Sequence, residues 1–355
     1  MFLSLYSDIN TLFDTPPLVG MSPEELSSFL ESRGRQAFRG KQIFRQIHKR
    51  GVRDLEDMTD LPSDLRALLG NAGVTIRALE VAERRRSTDG TEKLALKTHD
   101  GHLVETVLIP MDNGTITQCL SSQVGCAMGC AFCLTGRMGL TRNLTSAEIV
   151  DQHHIGRALA EQPIRNLVFM GMGEPLQNFD NVRTAVEILE DPLGLGMSHR
   201  RITISTCGVV PGIRRMATGE IPARLAISLI APDDEIRSKL MPVNRRWPLS
   251  ELLAALKEYP LPPRDRHTFE YVLLAGINDQ PEHALALVRL LAHLRSKVNL
   301  IVFNEVPDLP FRAPSTEATE AFRTVLERKH MTVTVRASKG RDILAACGQL
   351  ATSKT

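Results

Sequence analysis

No apolar run in this sequence approaches the roughly 18 residues that a membrane span needs, and no basic leader precedes the early apolar stretches, which Asp8 and Asp14 interrupt. The expectation is a cytosolic protein without a secretory signal. Net charge is nearly lacking too, +2 from 43 basic and 41 acidic residues, so any surface for a polyanion has to come from local basic clusters. Cysteines number only six, and four of them, Cys119, Cys126, Cys130 and Cys133, fall in one short stretch. In a reducing compartment such crowding points to metal or redox chemistry, not to a disulfide framework. Internal repeats and low-complexity segments are also missing. What remains is an ordinary soluble composition, 43% hydrophobic and 24% charged, long enough for one large domain and a smaller one.

Periodicity divides the chain into three regions. Residues 1–73 read as a small helical domain: Ser22 and Pro23 form a cap and first-turn pair, Leu26, Phe29 and Leu30 follow at helical spacing, and Phe38, Ile43, Phe44 and Ile47 continue it. The other faces carry Arg33, Arg35, Arg39, Lys41, Arg45, Lys49, Arg50 and Arg53, with few acids between them. Such a run is either a solvated face or a contact for RNA phosphates. Residues 74–110 change to a period of two, through Leu94, Leu96 and the run from His102 to Ile109, with Asp89-Gly90 and Asp100-Gly101 as turns, and predict a small antiparallel connector.

From 111 to 355, strand-like runs at 166–170, 201–205, 224–230, 268–274, 298–303 and 332–335 alternate with amphipathic stretches such as Leu287, Leu290, Leu291 and Leu294. Repeated strand-helix units predict an α/β fold with a parallel sheet, open or curled into a full or partial barrel, and chemistry at the carboxyl ends of its strands.

Cys126-Ala-Met-Gly-Cys130-Ala-Phe-Cys133 has the spacing CxxxCxxC, just after a strand predicted to end near 118–120. Thiolates bind iron-sulfur clusters, ordinarily one for each iron of a 4Fe-4S cube, and three cysteines leave one iron open. Structural zinc usually takes four ligands, and no second cysteine pair stands nearby; zinc completed by Cys119 or a histidine is the competing assignment. Gly171-Met-Gly-Glu-Pro175 follows a predicted strand, where glycines let backbone approach a ligand and Glu174 can pair with an ammonium group. Alone, this pattern reads equally well as a turn and helix start. Ser205, Ser228 and Asn304 sit near the ends of successive strands, as caps or as groups converging on a barrel mouth. By spacing alone Cys347 is a small buried thiol and Glu105 an exposed strand carboxylate.

Together these residues resemble the radical S-adenosylmethionine enzymes, and within them the adenine carbon-2 RNA methyltransferases of the RlmN type. The similarity runs from Phe38-Arg-Gly-Lys-Gln-Ile-Phe44 to Ala345-Ala-Cys-Gly-Gln-Leu350, with several motifs in the family's order. It implies a partial (β/α) radical S-adenosylmethionine barrel, one 4Fe-4S cluster on Cys126, Cys130 and Cys133, and cofactor contacts from Gly173, Glu174, Ser205, Ser228, Leu229 and Asn304. It also reverses the reading of Cys347, which would receive a methyl group, while Cys119 later pairs with it and Glu105 accepts a proton. A 5'-deoxyadenosyl radical from a second S-adenosylmethionine would activate that methyl. Implied partners are 23S rRNA and tRNA, gripped by Arg39, Lys41 and Arg45, and an electron donor such as flavodoxin or ferredoxin. This chain has Ser228-Leu229-Ile230 where the family commonly has Ser-Leu-His, and Asn304-Glu305 in place of Asn-Pro, so no side-chain role passes to Ile230. Two alternatives stay open: the related carbon-8 methyltransferase associated with antibiotic resistance, and a zinc-stabilised RNA-binding module without catalysis.

Overall fold

The computed structural model describes residues 16–351, so the segment around Asp8 and Asp14 lies outside the described residues. The first helix, α1 (Pro23–Glu31), starts on a capping box in which Ser22 Oγ accepts from the Glu25 amide at 3.1 Å and Glu25 Oε2 accepts from the Ser22 amide at 2.7 Å. Next come α2 (Phe38–Phe44), which runs into a π turn at Arg45–Lys49, and α3 (Ser63–Asn71). Leu26, Leu30, Ile43, Phe44 and Ile47 are buried, as their spacing predicts. Phe38 departs from the pattern and is 51% exposed: it opens α2, and its ring lies 4.7 Å from the Arg39 guanidinium carbon instead of in the core.

Three antiparallel strands follow, β1 (Leu79–Arg86), β2 (Glu92–Thr98) and β3 (Leu103–Met111), and β3 pairs antiparallel with β4 (Thr115–Cys119). The cysteine motif does not directly follow β4. A separate ribbon intervenes, β5 (Gln123–Cys126) paired with β6 (Gly139–Asn143), with the motif and α4 (Leu134–Met138) between its strands. The alternating part is α5 (Ser146–Leu159), β7 (Ile164–Phe169), α6 (Phe179–Glu190), β8 (Ile202–Thr206), α7 (Val210–Ala217), β9 (Arg224–Ser228), α8 (Asp234–Leu240) and α9 (Leu249–Glu258). It closes with β10 (His267–Leu273), α10 (Pro281–Leu291), β11 (Ser296–Val302), α11 (Thr316–Arg328) and β12 (Thr332–Arg336). All six predicted strands are present.

The main sheet runs β1-β2-β3-β4-β7-β8-β9-β10-β11-β12, parallel from β4 onward. Its edges β1 and β12 do not pair, so the barrel is partial. The chain after β12 crosses the gap: Lys339 Nζ donates to the Pro110 carbonyl at 2.8 Å, the Gly340 amide to Asp89 at 2.8 Å, and Lys93 Nζ to the Leu344 carbonyl at 3.1 Å. The crossing lays residues 340–351 over the strand ends, where Cys347 lies.

The N-terminal helices dock on α5. Arg53 pairs with buried Asp151 at 2.6 Å, His48 Nδ1 lies 3.0 Å from His154 Nε2, and Arg157 donates to the His48 carbonyl at 2.9 Å. Among the described residues no helix is long and apolar enough to cross a membrane.

Candidate active site

The cysteine loop hangs above the carboxyl ends of the parallel strands. One cavity there is lined by Cys126, Cys130 and Cys133, by Gly173 and Glu174 after β7, by Ser205 and Ser228 on β8 and β9, and by Asn304 and Cys347. Strand ends that are remote in sequence thus converge, as a parallel barrel requires. Burial pushes the Cys126 thiol up to about 12 and the Cys130 and Cys133 thiols upward as well, so the trio becomes thiolate only against positive charge.

The donor set fits a cluster better than a single ion. Three ligands around one tetrahedral zinc, at about 2.3 Å each, bring their sulfurs to roughly 4 Å from one another. Among the described residues His99, Asp100 and Glu148 are the group of three whose ligand atoms all lie within 4.8 Å, and Arg142 already pairs with both of those carboxylates. The sulfurs of Cys126, Cys130 and Cys133 do not all lie within that distance of one another, which suits one iron per thiolate better than one shared ion. Cys119 does not line this cavity, and neither does any histidine.

Gly173 has φ +99°, and a Cβ there would meet the Gln123 side chain at 2.5 Å, so only glycine fits. Glu174 is buried and held rigidly: its carboxylate accepts from the Cys207 amide at 2.8 Å and the Leu176 amide at 3.1 Å, and its own amide donates to Gln123 Oε1. Burial raises its pKa against those donors. Asn304, which lines the cavity, donates to the Cys347 carbonyl at 3.3 Å, while its buried Oδ1 has no hydrogen-bond partner. An orphaned acceptor beside a clamped carboxylate suits a polar, cationic cofactor such as S-adenosylmethionine. Leu229 is placed differently: its side chain is buried outside the cavity. Ile230 does line the cavity, at φ +68°, with the Ala231 amide bonded back to the Leu229 carbonyl at 2.8 Å in a γ-turn that a β-branched residue rarely tolerates. Asn278 holds the strained carbonyl of Ile230 at 2.6 Å.

Cys347 is exposed, contrary to the buried thiol its spacing suggests, and it lines a second cavity as well, with Cys119, Val168, Met170, Asn304 and Arg336, so it belongs to the wall that the two cavities share. The segment is seated on the cysteine loop: the Leu134 amide donates to the Gly348 carbonyl at 2.8 Å, and Gly348, at φ +82°, leaves no room for a Cβ without crowding the Phe132 carbonyl at 3.2 Å. Cys119 is buried at the end of β4, and burial with Cys347 nearby pushes its thiol up to about 12. All six cysteines are free thiols, so no disulfide joins Cys119 to Cys347 in this structure.

Glu105 is buried in mid-β3, contrary to the exposed carboxylate its spacing suggests, and lines neither cavity. It pairs with Lys93 at 2.8 Å and accepts from the Ala351 amide at 3.0 Å. Burial raises its pKa, opposed by Lys93.

In the N-terminal helices, Arg35, Arg50 and Arg53 are tied up in ion pairs with Asp64, Asp60 and Asp151. Half-buried Arg39 donates to Gln42 at 2.7 Å. Lys41 and Arg45 are exposed and have no carboxylate partner among the described residues; Arg45 lines a surface cleft with Lys49 and Arg50. Sequence reasoning missed two charged groups at the main cavity, Glu270 and Arg336, and fully buried Arg237 behind it, which donates to the carbonyls of Leu229 and Cys207 at 3.0 and 2.7 Å. A carboxylate inside the apolar run Thr268-Phe-Glu-Tyr-Val272 was the available signal.

A partial (β/α) barrel with a three-cysteine loop over its strand ends defines a radical S-adenosylmethionine enzyme, and the family model of the radical SAM superfamily matches residues 120–288. The family model of the ribosomal RNA large subunit methyltransferase N-terminal domain matches residues 17–74. Over 346 residues the chain is 47% identical to the dual-specificity RNA methyltransferase RlmN of Anaeromyxobacter dehalogenans, covering 95% of this chain and 92% of that one. To the protein of the same name from Pelobacter propionicus it is 51% identical over 326 residues, 92% of each. A crystal structure of a radical SAM methyltransferase from Sphaerobacter thermophilus superposes with a TM-score of 0.90 at 42% identity, covering 94% of this chain and 99% of that one. The chain belongs to the RlmN family of radical SAM RNA methyltransferases.

Proposed function

We propose that this enzyme methylates carbon 2 of an adenosine in 23S rRNA and in tRNA, through a methylated Cys347 and with two molecules of S-adenosylmethionine. The observation that carries the reading is the position of Cys347 in the wall common to two cavities, one with the cluster cysteines and one with Cys119. The two RNA substrates rest on the name of the relatives, dual-specificity RNA methyltransferase. In this reading residues 1–73 grip RNA with Arg39, Lys41 and Arg45, residues 74–110 connect, and residues 111–355 carry the chemistry, in the cytosol.

The hydrogen on carbon 2 of adenine is not acidic enough to remove readily, so polar methyl transfer fails there. When bound, the 4Fe-4S cluster and S-adenosylmethionine supply a methyl group and, with an electron from a donor such as flavodoxin or ferredoxin, a carbon-centred radical. Cys126, Cys130 and Cys133 would hold the cluster, and Gly173, Glu174, Ser205, Ser228 and Asn304 the cofactor, while Leu229, whose backbone groups are bound to Glu270, Ala231 and Arg237, stands behind the site. Cys347 holds the methyl carbon between the two cavities as a thioether. After the methylene carbon bonds to carbon 2, the adduct has to give up one electron, for which the oxidised cluster would be the acceptor, and Glu105 takes the proton leaving carbon 2. Cys119, as a thiolate, then attacks the Cys347 sulfur: an S–S bond forms as the S–C bond breaks, and the electron pair of that bond goes to the product carbon, which takes up a proton to complete the methyl group.

Glu105 reaches the base only if residues 344–351 lift from it, and the disulfide forms only with the two alpha carbons within about 7 Å. The target adenosine also has to leave its stack to enter a strand-end cavity. Anaerobic reaction of rRNA and tRNA with methyl-labelled cofactor, followed by nucleoside mass spectrometry, tests the proposal: label on carbon 2 is expected, whereas label on carbon 8 or none would overturn it.

A further inference from the structure

Glu270 lies in mid-β10 and is 4% exposed, an expensive place for a carboxylate unless it is used. It belongs to one polar layer across four strands, for Ser228, Glu270, Asn299 and Thr334 are register partners in turn on β9, β10, β11 and β12. Hydrogen bonds fix that layer: Thr334 Oγ1 donates to Asn299 Oδ1 at 2.7 Å, and Asn299 Nδ2 donates to Glu270 Oε1 at 2.9 Å. The other oxygen, Oε2, is buried and makes no hydrogen bond; Arg336 Nη1 forms only a long ion pair with it at 3.8 Å, beyond hydrogen-bonding distance. Glu270 lines the cavity that holds the three cysteines and Glu174. The carboxylate is therefore oriented in advance, with one acceptor left for a donor that enters the cavity.

The ligand's chemistry selects the donor. S-adenosylmethionine offers an ammonium at its methionine end, hydroxyls on its ribose and one amino group on its adenine. Glu174, clamped beside the cysteine loop, already meets the ammonium in the reading above. Ile230, Val272 and Ile301 give the same cavity an apolar wall suited to a base. Between those two ends the ribose remains, and a carboxylate accepting from ribose hydroxyls is the arrangement that nucleotide-binding folds use. We infer that Glu270 binds the ribose hydroxyls of S-adenosylmethionine through its free oxygen, with Asn299 and Thr334 as the positioning residues behind it. This inference rests on the proposed function.

The test is equilibrium binding, under anaerobic conditions, to the reconstituted holoenzyme. S-adenosylmethionine and its 2′,3′-dideoxy analogue are compared on the wild type, Glu270→Gln and Glu270→Ala, with iron and sulfide content checked in each. The wild type is expected to bind the analogue about 10- to 100-fold more weakly, the worth of a hydrogen bond to a charged group. Both variants should bind the two ligands within about 3-fold of each other. A variant that keeps the wild-type preference overturns the inference, and so does unchanged cofactor affinity with weakened RNA binding, which would place Glu270 on the RNA side through Arg336. If neither variant holds a cluster, the wild type still decides, because equal affinity for the two ligands overturns it. A wild type that binds no S-adenosylmethionine at all would sink the proposed function instead.

Discussion

Lys93 and Glu105 form a buried ion pair at 2.8 Å, and each partner also holds one end of the segment that carries Cys347. Lys93 Nζ binds the Leu344 carbonyl and Glu105 Oε2 the Ala351 amide, so the pair brackets the segment that carries Cys347. A proton arriving on Glu105 would cancel its charge and weaken the hold on Ala351 and Lys93, which couples proton transfer to release of the segment.

Breaking this bracket has a local signature. Lys93→Met leaves a buried carboxylate uncompensated and should lower stability by about 3 kcal/mol. Hydrogen exchange of residues 340–351 should rise while that of β7 to β10 stays as it was, and Lys93→Arg should restore most of the protection. Unchanged exchange in Lys93→Met would show that the segment is held by other contacts.

Cluster and methyl carrier should separate by mutation. Alanine at Cys126, Cys130 or Cys133 is expected to abolish iron binding, whereas Cys347→Ala keeps about four irons and four sulfides per chain and loses methyl acceptance. Metal analysis and labelled-methyl incorporation into protein check both. Bound zinc in place of iron and sulfide would favour the non-catalytic alternative.

Cys119→Ala should stall after the first chemical event, with RNA left covalently on Cys347. A denaturing gel would show the adduct. Release of methylated RNA at the wild-type multiple-turnover rate would remove Cys119 from the mechanism.

Charge reversal at Arg39, Lys41 and Arg45 tests the RNA face. Affinity should fall at least about 10-fold, and the slope of log affinity against log salt should shrink by about 2, since each phosphate contact adds roughly 0.7–0.9. If neither changes, the patch is only a solvated face.

Acid should loosen the N-terminal helices before the barrel. Burial holds His48 down to about 3 and His153 to about 4, and His154 well below its ordinary value, so the folded protein keeps these rings neutral. The unfolded chain protonates them near 6.5. Their stability contribution is thus full above pH 6.5 and is lost as pH falls toward 3, on the order of 4 kcal/mol by pH 5.5 for three rings. Thermal melts at pH 7.5 and 5.5 read this out, and His154→Gln should flatten the difference. An unaltered pH dependence in that variant would mean the histidines do not control it.

Local signals carried further than long-range ones. The cysteine triad, the capping box at Ser22 and the six alternating strands depend on neighbours a few residues away, and the chain's own pattern specifies them. Phe38 shows the limit of periodicity: it fits the helical stripe yet lies exposed at a helix start. The RNA patch shows another, because ion pairs with Asp60, Asp64 and Asp151 take three arginines out of an apparently continuous basic run.

By itself the sequence determined a three-cysteine loop and a run of parallel strand-helix units, since both arise from spacing along the chain. Only the tertiary structure decided that Cys347 lines two cavities with Cys119 in the second, that Glu105 is locked beneath its segment by Lys93, and that Glu270 keeps one carboxylate oxygen without a hydrogen bond. These relationships join residues from opposite edges or successive strands of one sheet. They exist only once the sheet has curled and the chain after β12 has crossed its open side, because closing those long loops depends on the summed packing of the whole barrel and on no local pattern.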